Sequence, residues 1–309
     1  MRLLVTGGSG FIGSHVADKA IAAGHDVVVL DTRESPYGVE TILGDVTDLD
    51  DVAAAARGVD AIVHLAAMAD VNEVTEAPVT TEAVNSRGTL AVLEAARAER
   101  CRVVYASTIW VYGEHVNGVA TEDSPVGIPR HFYTATKLAG EMYCHSYGEL
   151  YGVEHTILRF GIPYGPRARP AAVLPAFVQR AHDGEPLTIA GTGGQSRRFV
   201  YVEDLAEGVV AALAAGAANR TYNLVGDESV TILEIAQLVR ELVQPVEIVH
   251  LEGRKGDFPG VDVSGARAAR ELGWRATTTF AEGARRYVEW FLASSSTAST
   301  ANGSVAKSA

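Results

Sequence analysis

Gly7-Gly8-Ser9-Gly10-Phe11-Ile12-Gly13 follows the apolar run Leu3-Leu4-Val5 near the start of the chain, and the next apolar run, Val27-Val28-Val29-Leu30, ends on Asp31. Glycines at that spacing let the backbone turn sharply and approach a pyrophosphate, while the helix they open aims its free N–H groups at the phosphates. The acid, about 20 residues on, falls where a ribose would lie. A glycine triplet by itself also makes tight turns that hold nothing. Set in a strand–turn–helix–strand unit closed by an acid, it points to a dinucleotide. Gly7, Gly10, Phe11, Ile12, Gly13 and Asp31 are the contacts expected from this stretch. A carboxylate at Asp31 accepts hydrogen bonds from ribose hydroxyls and repels an additional phosphate, so NAD is expected rather than NADP, even with Arg33 close by.

Outward from that unit, short β-branched runs at 2–6, 26–30, 61–65, 102–107 and 155–159 alternate with helical patterns near 11–23, 48–57, 80–99 and 132–151. The alternation predicts an α/β fold: a Rossmann-type, doubly wound parallel sheet with helices on both faces, binding ligands beyond the carboxyl ends of its strands. After about residue 160 the rhythm loosens into Gly-, Pro- and Arg-rich loops, with helical patterns at 171–183, 203–215, 231–243 and 279–293. The expected organisation is an NAD-binding core over 1–160, then a smaller mixed α/β substrate lobe over 161–293, some segments of which return to the core. The Ser/Thr/Ala-rich stretch 294–309 reads as a disordered tail.

Composition narrows the function. The 309 residues carry a formal net charge of -12 and no basic block, which argues against an electrostatic grip on nucleic acid. No apolar run reaches membrane-spanning length, and the opening MRLLVTGG is too short for a signal peptide. Cys101 and Cys144 have no ligand-like spacing and the histidines form no zinc-type pair, so reduced thiols, a cytoplasmic protein and no metal are expected.

Tyr133-Thr134-Ala135-Thr136-Lys137 places a phenol and an ammonium four residues apart on a helical pattern, hence on one face. A nearby cation favours the phenolate and equips tyrosine to act as a base. Such a pair is also common on ordinary helix surfaces; its distance from the glycine loop supports the catalytic reading. The run Arg102-Val103-Val104-Tyr105-Ala106 leads into Ser107-Thr108 at a strand end, where a hydroxyl can share a hydrogen bond with substrate and phenolate, or simply form a turn.

These residues together resemble the extended short-chain dehydrogenase/reductases, in particular their nucleotide-sugar epimerase/dehydratase branch. The likeness spans nearly the whole chain except the tail. It takes in Asp45-Val46, His64-Leu65-Ala66-Ala67, Asn85, Ser107 to Gly113, Tyr164-Gly165-Pro166, Arg197 to Asp204 and Arg254-Lys255-Gly256-Asp257. The resemblance implies NAD as cofactor, with Asp45, Val46, Leu65, Ala66, Ala67, Asn85, Tyr133 and Lys137 as further contacts. It implies a nucleoside-diphosphate sugar as substrate, touched by Thr108, Tyr133, Ile162, Arg197, Arg254 and Asp257, the two arginines gripping the diphosphate. Thr108, Tyr133 and Lys137 match the family's catalytic set.

Dehydratases of the branch carry an Asp-Glu pair directly after the threonine, whereas this chain has Ile109-Trp110, which cannot transfer protons. The expectation is therefore C4 epimerisation of a UDP-glucose/UDP-galactose type substrate through a 4-keto sugar. The alternatives are a decarboxylase, a 4-keto reductase or a dehydratase of the same branch, and a non-catalytic NAD-binding regulator. Ile162 stands where the family usually has Asn. The patterns at 80–99 and 132–151 resemble a pair that forms a four-helix interface, so a homodimer is expected, with Ala91, Ala95 and Ala139 permitting close helix approach.

Overall fold

The computed structural model describes residues 1–113, 118–252 and 262–305. Strand β1 (Arg2–Thr6) runs through the glycine loop into α1 (Phe11–Ala22), then come β2 (Asp26–Asp31), β3 (Thr41–Leu43), α2 (Leu49–Ala55), β4 (Ala61–His64), α3 (Val71–Glu76) and α4 (Pro78–Glu82). A π-helical turn, Ala83–Arg87, leads into α5 (Gly88–Glu99), followed by β5 (Arg102–Thr108), a 3-10 turn (Ile109–Tyr112), α6 (Phe132–Tyr151) and β6 (His155–Phe160). The second half contains β7 (Ile162–Tyr164), α7 (Val173–His182), β8 (Leu187–Ala190), β9 (Ser196–Tyr201), α8 (Val202–Ala211), β10 (Arg220–Leu224), β11 (Ser229–Thr231), α9 (Ile232–Leu242), β12 (Ile248–Leu251), α10 (Ala266–Glu271) and α11 (Phe280–Val305).

Seven strands form one parallel sheet in the order β10-β6-β5-β4-β1-β2-β3. The order reverses between β1 and β4, and at that switch point the loops diverge to leave a crevice for a ligand. Buried on both faces, the strands read as continuous apolar runs; Leu3, Leu4, Val5, Ile62 and Val63 are almost wholly excluded from solvent. On one face α1 and α8 share a core through Val16, Ala17, Ala20, Leu205, Ala206 and Val209; on the other, α2, α5 and α6 contribute Val52, Val92, Leu93 and Cys144. The smaller lobe has a three-stranded sheet, β11-β9-β7, and the parallel pair β12-β8. Its core is separate, built on Phe177, Ile189, Phe199, Ile235 and Tyr287.

The expected α/β class, the parallel sheet and the mixed lobe are all present. Differences lie in the pieces. The single helix expected over 80–99 is three segments, with the π turn aiming Asn85 inward. Strand β10 and helix α8 come from the second half of the chain yet complete the main sheet and cover its face. Helix α11 continues from Phe280 to Val305, through most of the stretch expected to be a tail. Ala91 and Ala95 face the chain's own core, so they cover the sheet and do not offer a free surface for helix approach. No helix among the described residues is long and apolar enough to cross a membrane.

Candidate active site

The glycine loop is a cradle with no room for side chains. Gly7 adopts φ +70°, and a Cβ there would lie 2.8 Å from the Ala66 backbone; a Cβ on Gly13 would lie 2.2 Å from the Gly7 carbonyl. Helix α1 can therefore start hard against β1 and β4. Gly10 caps it without a side-chain bond and its first turn holds no acid, which leaves the N-terminal amides and the positive end of the helix dipole to an anion. Asp31 sits at the end of β2, where its carboxylate accepts from Ser9 N at 3.0 Å and Arg33 N at 3.3 Å.

These residues border one cavity of about 710 Å³. Its wall includes Gly7, Gly10, Phe11, Ile12, Gly13 and Asp31, together with Asp45, Val46, Leu65, Ala66 and Ala67. Farther along the same cavity stand Thr108, Tyr133, Lys137 and Ile162. A dinucleotide fits: the amide cradle suits a diphosphate, Asp31 suits a ribose, and the far end brings it to Tyr133 and Lys137.

Other expected contacts lie elsewhere. Asn85 is buried off the cavity wall, accepting from Met68 N at 2.8 Å and donating to Met68 O and Thr136 Oγ1, each at 3.0 Å. It thus shapes the wall indirectly, through Met68. Arg197 is on β9 in the small lobe, donating to Ser196 O, and is not part of that wall. Arg254 and Asp257 lie outside the described residues. Among the wall residues that were not anticipated are Trp110 and Arg169. Trp110 meets the Tyr133 ring edge-on at 6.4 Å, and Arg169 forms an ion pair with Asp70 at 3.1 Å.

Electrostatics at the far end differ from the sequence expectation. Burial pushes the Tyr133 phenol up to about 12, with Arg169 pulling the other way. Burial also brings the Lys137 ammonium down to about 8. Its Nζ lies 5.0 Å over the Tyr105 ring, and that ring's hydroxyl donates to Lys137 O at 3.1 Å. The depressed tyrosine pKa expected from Lys137 is not a property of the chain alone: desolvation dominates, and the cation that opposes it is Arg169.

His64, at the end of β4, helps to fix the wall formed by Leu65 and Ala66. Thr89 Oγ1 donates to Asn85 O at 2.6 Å, so toward His64 Nε2, 3.1 Å away, it accepts. Nδ1 is then bare and accepts from Thr6 Oγ1 at 2.8 Å. Complete burial drives the imidazole pKa down to about 3, and the ring stays neutral. Thr6 Oγ1 in turn receives Leu65 N and Ala66 N, both at 3.3 Å, which sets the backbone of that wall. Among the described residues no group of His, Cys, Asp and Glu could hold a metal ion.

Comparison with known proteins agrees with this geometry. The pattern of the NAD dependent epimerase/dehydratase family matches residues 3–225. The chain is 33% identical to UDP-glucuronic acid decarboxylase 1 of Danio rerio, over 94% of this chain and 72% of that protein. It is 32% identical to a putative UDP-glucose 4-epimerase of Methanocaldococcus jannaschii, over 93% and 97% of the two chains. The crystal structure of the UDP-glucose 4-epimerase of Thermus thermophilus in complex with NAD superposes with a TM-score of 0.86 at 36% identity, covering 94% of this chain and 99% of that one. The chain belongs to the NAD dependent epimerase/dehydratase family, and NAD is its cofactor.

Proposed function

We propose that this enzyme interconverts the C4 epimers of a nucleoside-diphosphate hexose, of the UDP-glucose/UDP-galactose type, through a 4-keto sugar. The observation that carries the reading is the make-up of the cavity wall: among the described residues its only carboxylates are Asp31 and Asp45, both at the nucleotide end. Beside Thr108 stand the apolar Ile109 and Trp110, so no acid–base pair is in place to eliminate water across C5 and C6. NAD, held by the glycine loop and Asp31, supplies a reversible two-electron acceptor and a positively charged ring. Tyr133 takes the C4 hydroxyl proton and later returns it. Thr108 shares a hydrogen bond with that hydroxyl and holds it toward the phenolic oxygen. Arg169 contributes a cation that offsets the burial of the phenol, and Lys137, one helical turn on from Tyr133 and on the same cavity wall, binds the cofactor beside it. Trp110 walls the sugar from one side.

Arg169 favours a second reading within the same chemistry, a hexuronate substrate whose carboxylate meets that guanidinium. Relatives of this chain carry both uronate names, a UDP-glucuronic acid decarboxylase and a probable UDP-glucuronate 4-epimerase of Rhizobium meliloti. Incubation with UDP-glucose, UDP-galactose, UDP-glucuronate and the GDP and dTDP hexoses, followed by NMR, separates the readings. The C4-inverted hexose is expected; a C6 methyl signal or a pentose product without C4 inversion overturns epimerisation. The enzyme is proposed to work as a homodimer through α6, which leaves Met142, Leu150 and Tyr151 exposed. Sedimentation at micromolar concentration should give twice the 32.6 kDa chain mass, and a monomer there rejects the dimer.

A further inference from the structure

Behind Thr108 runs a chain of buried polar groups with no part in the chemistry above. Ser107 Oγ donates to Glu141 Oε1 at 2.5 Å. Arg159 grips the same carboxylate with two N–H groups, Nε to Oε1 at 3.0 Å and Nη2 to Oε2 at 2.7 Å. Its Nη1 donates to the Tyr112 hydroxyl at 2.9 Å, which donates onward to Asn223 Oδ1 at 2.7 Å. None of these five residues is more than 5% exposed.

Stability is a poor explanation for such an arrangement. A buried ion pair costs so much desolvation that well-packed apolar residues often serve as well or better. Placement offers a better one. Ser107 immediately precedes Thr108 on β5 and sits directly opposite Arg159 on β6. Tyr112 closes the 3-10 turn that immediately follows Thr108. Glu141 is one helical turn beyond Lys137 and two beyond Tyr133, on the same face of α6. One carboxylate thus ties the strand that ends in Thr108 to the helix that carries Tyr133 and Lys137, and through Arg159 it reaches the turn on the other side of Thr108.

We propose that Glu141, with Ser107 and Arg159, is a positioning unit for the reaction: it sets the Thr108 hydroxyl against the Tyr133 oxygen, with Glu141 and Arg159 set back from the cavity and only Ser107 of the three bordering it. The inference rests on the reading that Thr108 and Tyr133 act on the sugar. Misplacement of a reacting group by about 1 Å can cost roughly 10²-fold, so a small slackening of this tie is measurable.

Ser107→Ala cuts the tie to Thr108 and leaves the Glu141–Arg159 pair intact. Conversion of the nucleotide sugar to any product should fall about tenfold in kcat, with KM for the sugar unchanged and the melting temperature within about 2 °C of the parent. In its crystal structure Thr108 Oγ1 should move by more than about 0.5 Å relative to the Tyr133 oxygen, the tolerance within which a catalytic set must be held. Glu141→Gln keeps the shape and loses the charge; if it folds, it should show the same loss in kcat. An unmoved Thr108 in Ser107→Ala overturns the proposal whatever reaction the enzyme catalyses, and so does a loss expressed in KM or a kcat equal to the parent's. A product other than the C4 epimer counts against the epimerase reading and leaves this test standing.

Discussion

On the sheet side of the cavity, Thr108, Tyr133 and Lys137 stand on β5 and α6, two long elements locked together by buried bonds from Tyr105, Ser107 and Glu141. On the lobe side, Ile162, Pro163, Ala168, Arg169 and Ala172 come from a three-residue strand and the loop that runs on to α7. That loop is tied down by partly exposed contacts: Arg169 to Asp70 at 3.1 Å, Arg167 to Asp18 at 2.8 Å, and Arg167 over the Tyr37 ring at 3.8 Å. Surface ion pairs contribute about 0–1 kcal/mol each, whereas a broken buried pair costs several. The groups assigned to proton transfer are thus held where movement is expensive. Those assigned to substrate choice are held where it is cheap, and Arg169, which also acts on the phenol, is among them.

The largest effect should come from the rigid side. Tyr133→Phe removes a single oxygen, so turnover should fall about 10²–10⁴-fold while NAD stays bound, as general bases typically contribute that much. Retention of more than about a tenth of the parent rate would take Tyr133 out of the proton-transfer role and erase the contrast between the two sides. NAD content measured on the purified variant distinguishes a lost base from a lost cofactor.

His64, next to the wall residues Leu65 and Ala66, offers a test in pH. His64 titrates near 3 in the folded chain and near 6.5 when unfolded, so between those values the unfolded state binds the extra proton. Stability from this source is complete above about pH 6.5 and is lost as pH falls toward 3. At about 1.4 kcal/mol per unit, going from pH 7 to pH 4 should cost roughly 3 kcal/mol. Denaturant unfolding of the parent and of His64→Gln at both pH values checks this: the variant is less stable at pH 7 but has a shallower fall. Equal slopes for the two proteins would mean that His64 is not held neutral by its burial.

How much of this was readable beforehand follows the same division. Gly7 to Gly13, Asp31, and the Tyr133–Lys137 pair are local patterns whose meaning depends on a few neighbours, and the structure brings them to one cavity. The return of β10 to the main sheet was invisible in detail, because periodicity marks a strand but does not name its partner; Arg220 pairs with Thr156, far away in the chain. The short strand β3 and helix α3 carry too few residues to show a period. Asn85 lies in a π turn, which no sequence period marks, and reaches the cavity wall through its bonds to Met68. The upward push on the Tyr133 phenol was not legible, because charge can be read from sequence while desolvation cannot. Glu141 did leave a signal: it continues the i, i+4 row of Tyr133 and Lys137.

The smallest effect belongs to the lobe side, at Ile162. Its side chain borders the cavity beside Pro163, in β7, where it pairs with Phe199 of β9. Ile162→Asn introduces the amide that the family resemblance leads one to expect at that position. An amide there gains a hydrogen bond only if the bound sugar offers a partner, at about 0.5–1.5 kcal/mol net, so KM for the nucleotide sugar should fall about three- to tenfold with kcat nearly unchanged. The same change weakens the lobe, since Ile162 also packs on its apolar core, and a modest drop in melting temperature should accompany the gain. If kcat moves as much as KM, the lobe side reaches into the chemistry and the two sides are not separable. If KM rises, the apolar wall is itself a recognition feature, suited to a part of the substrate that offers no hydrogen bond.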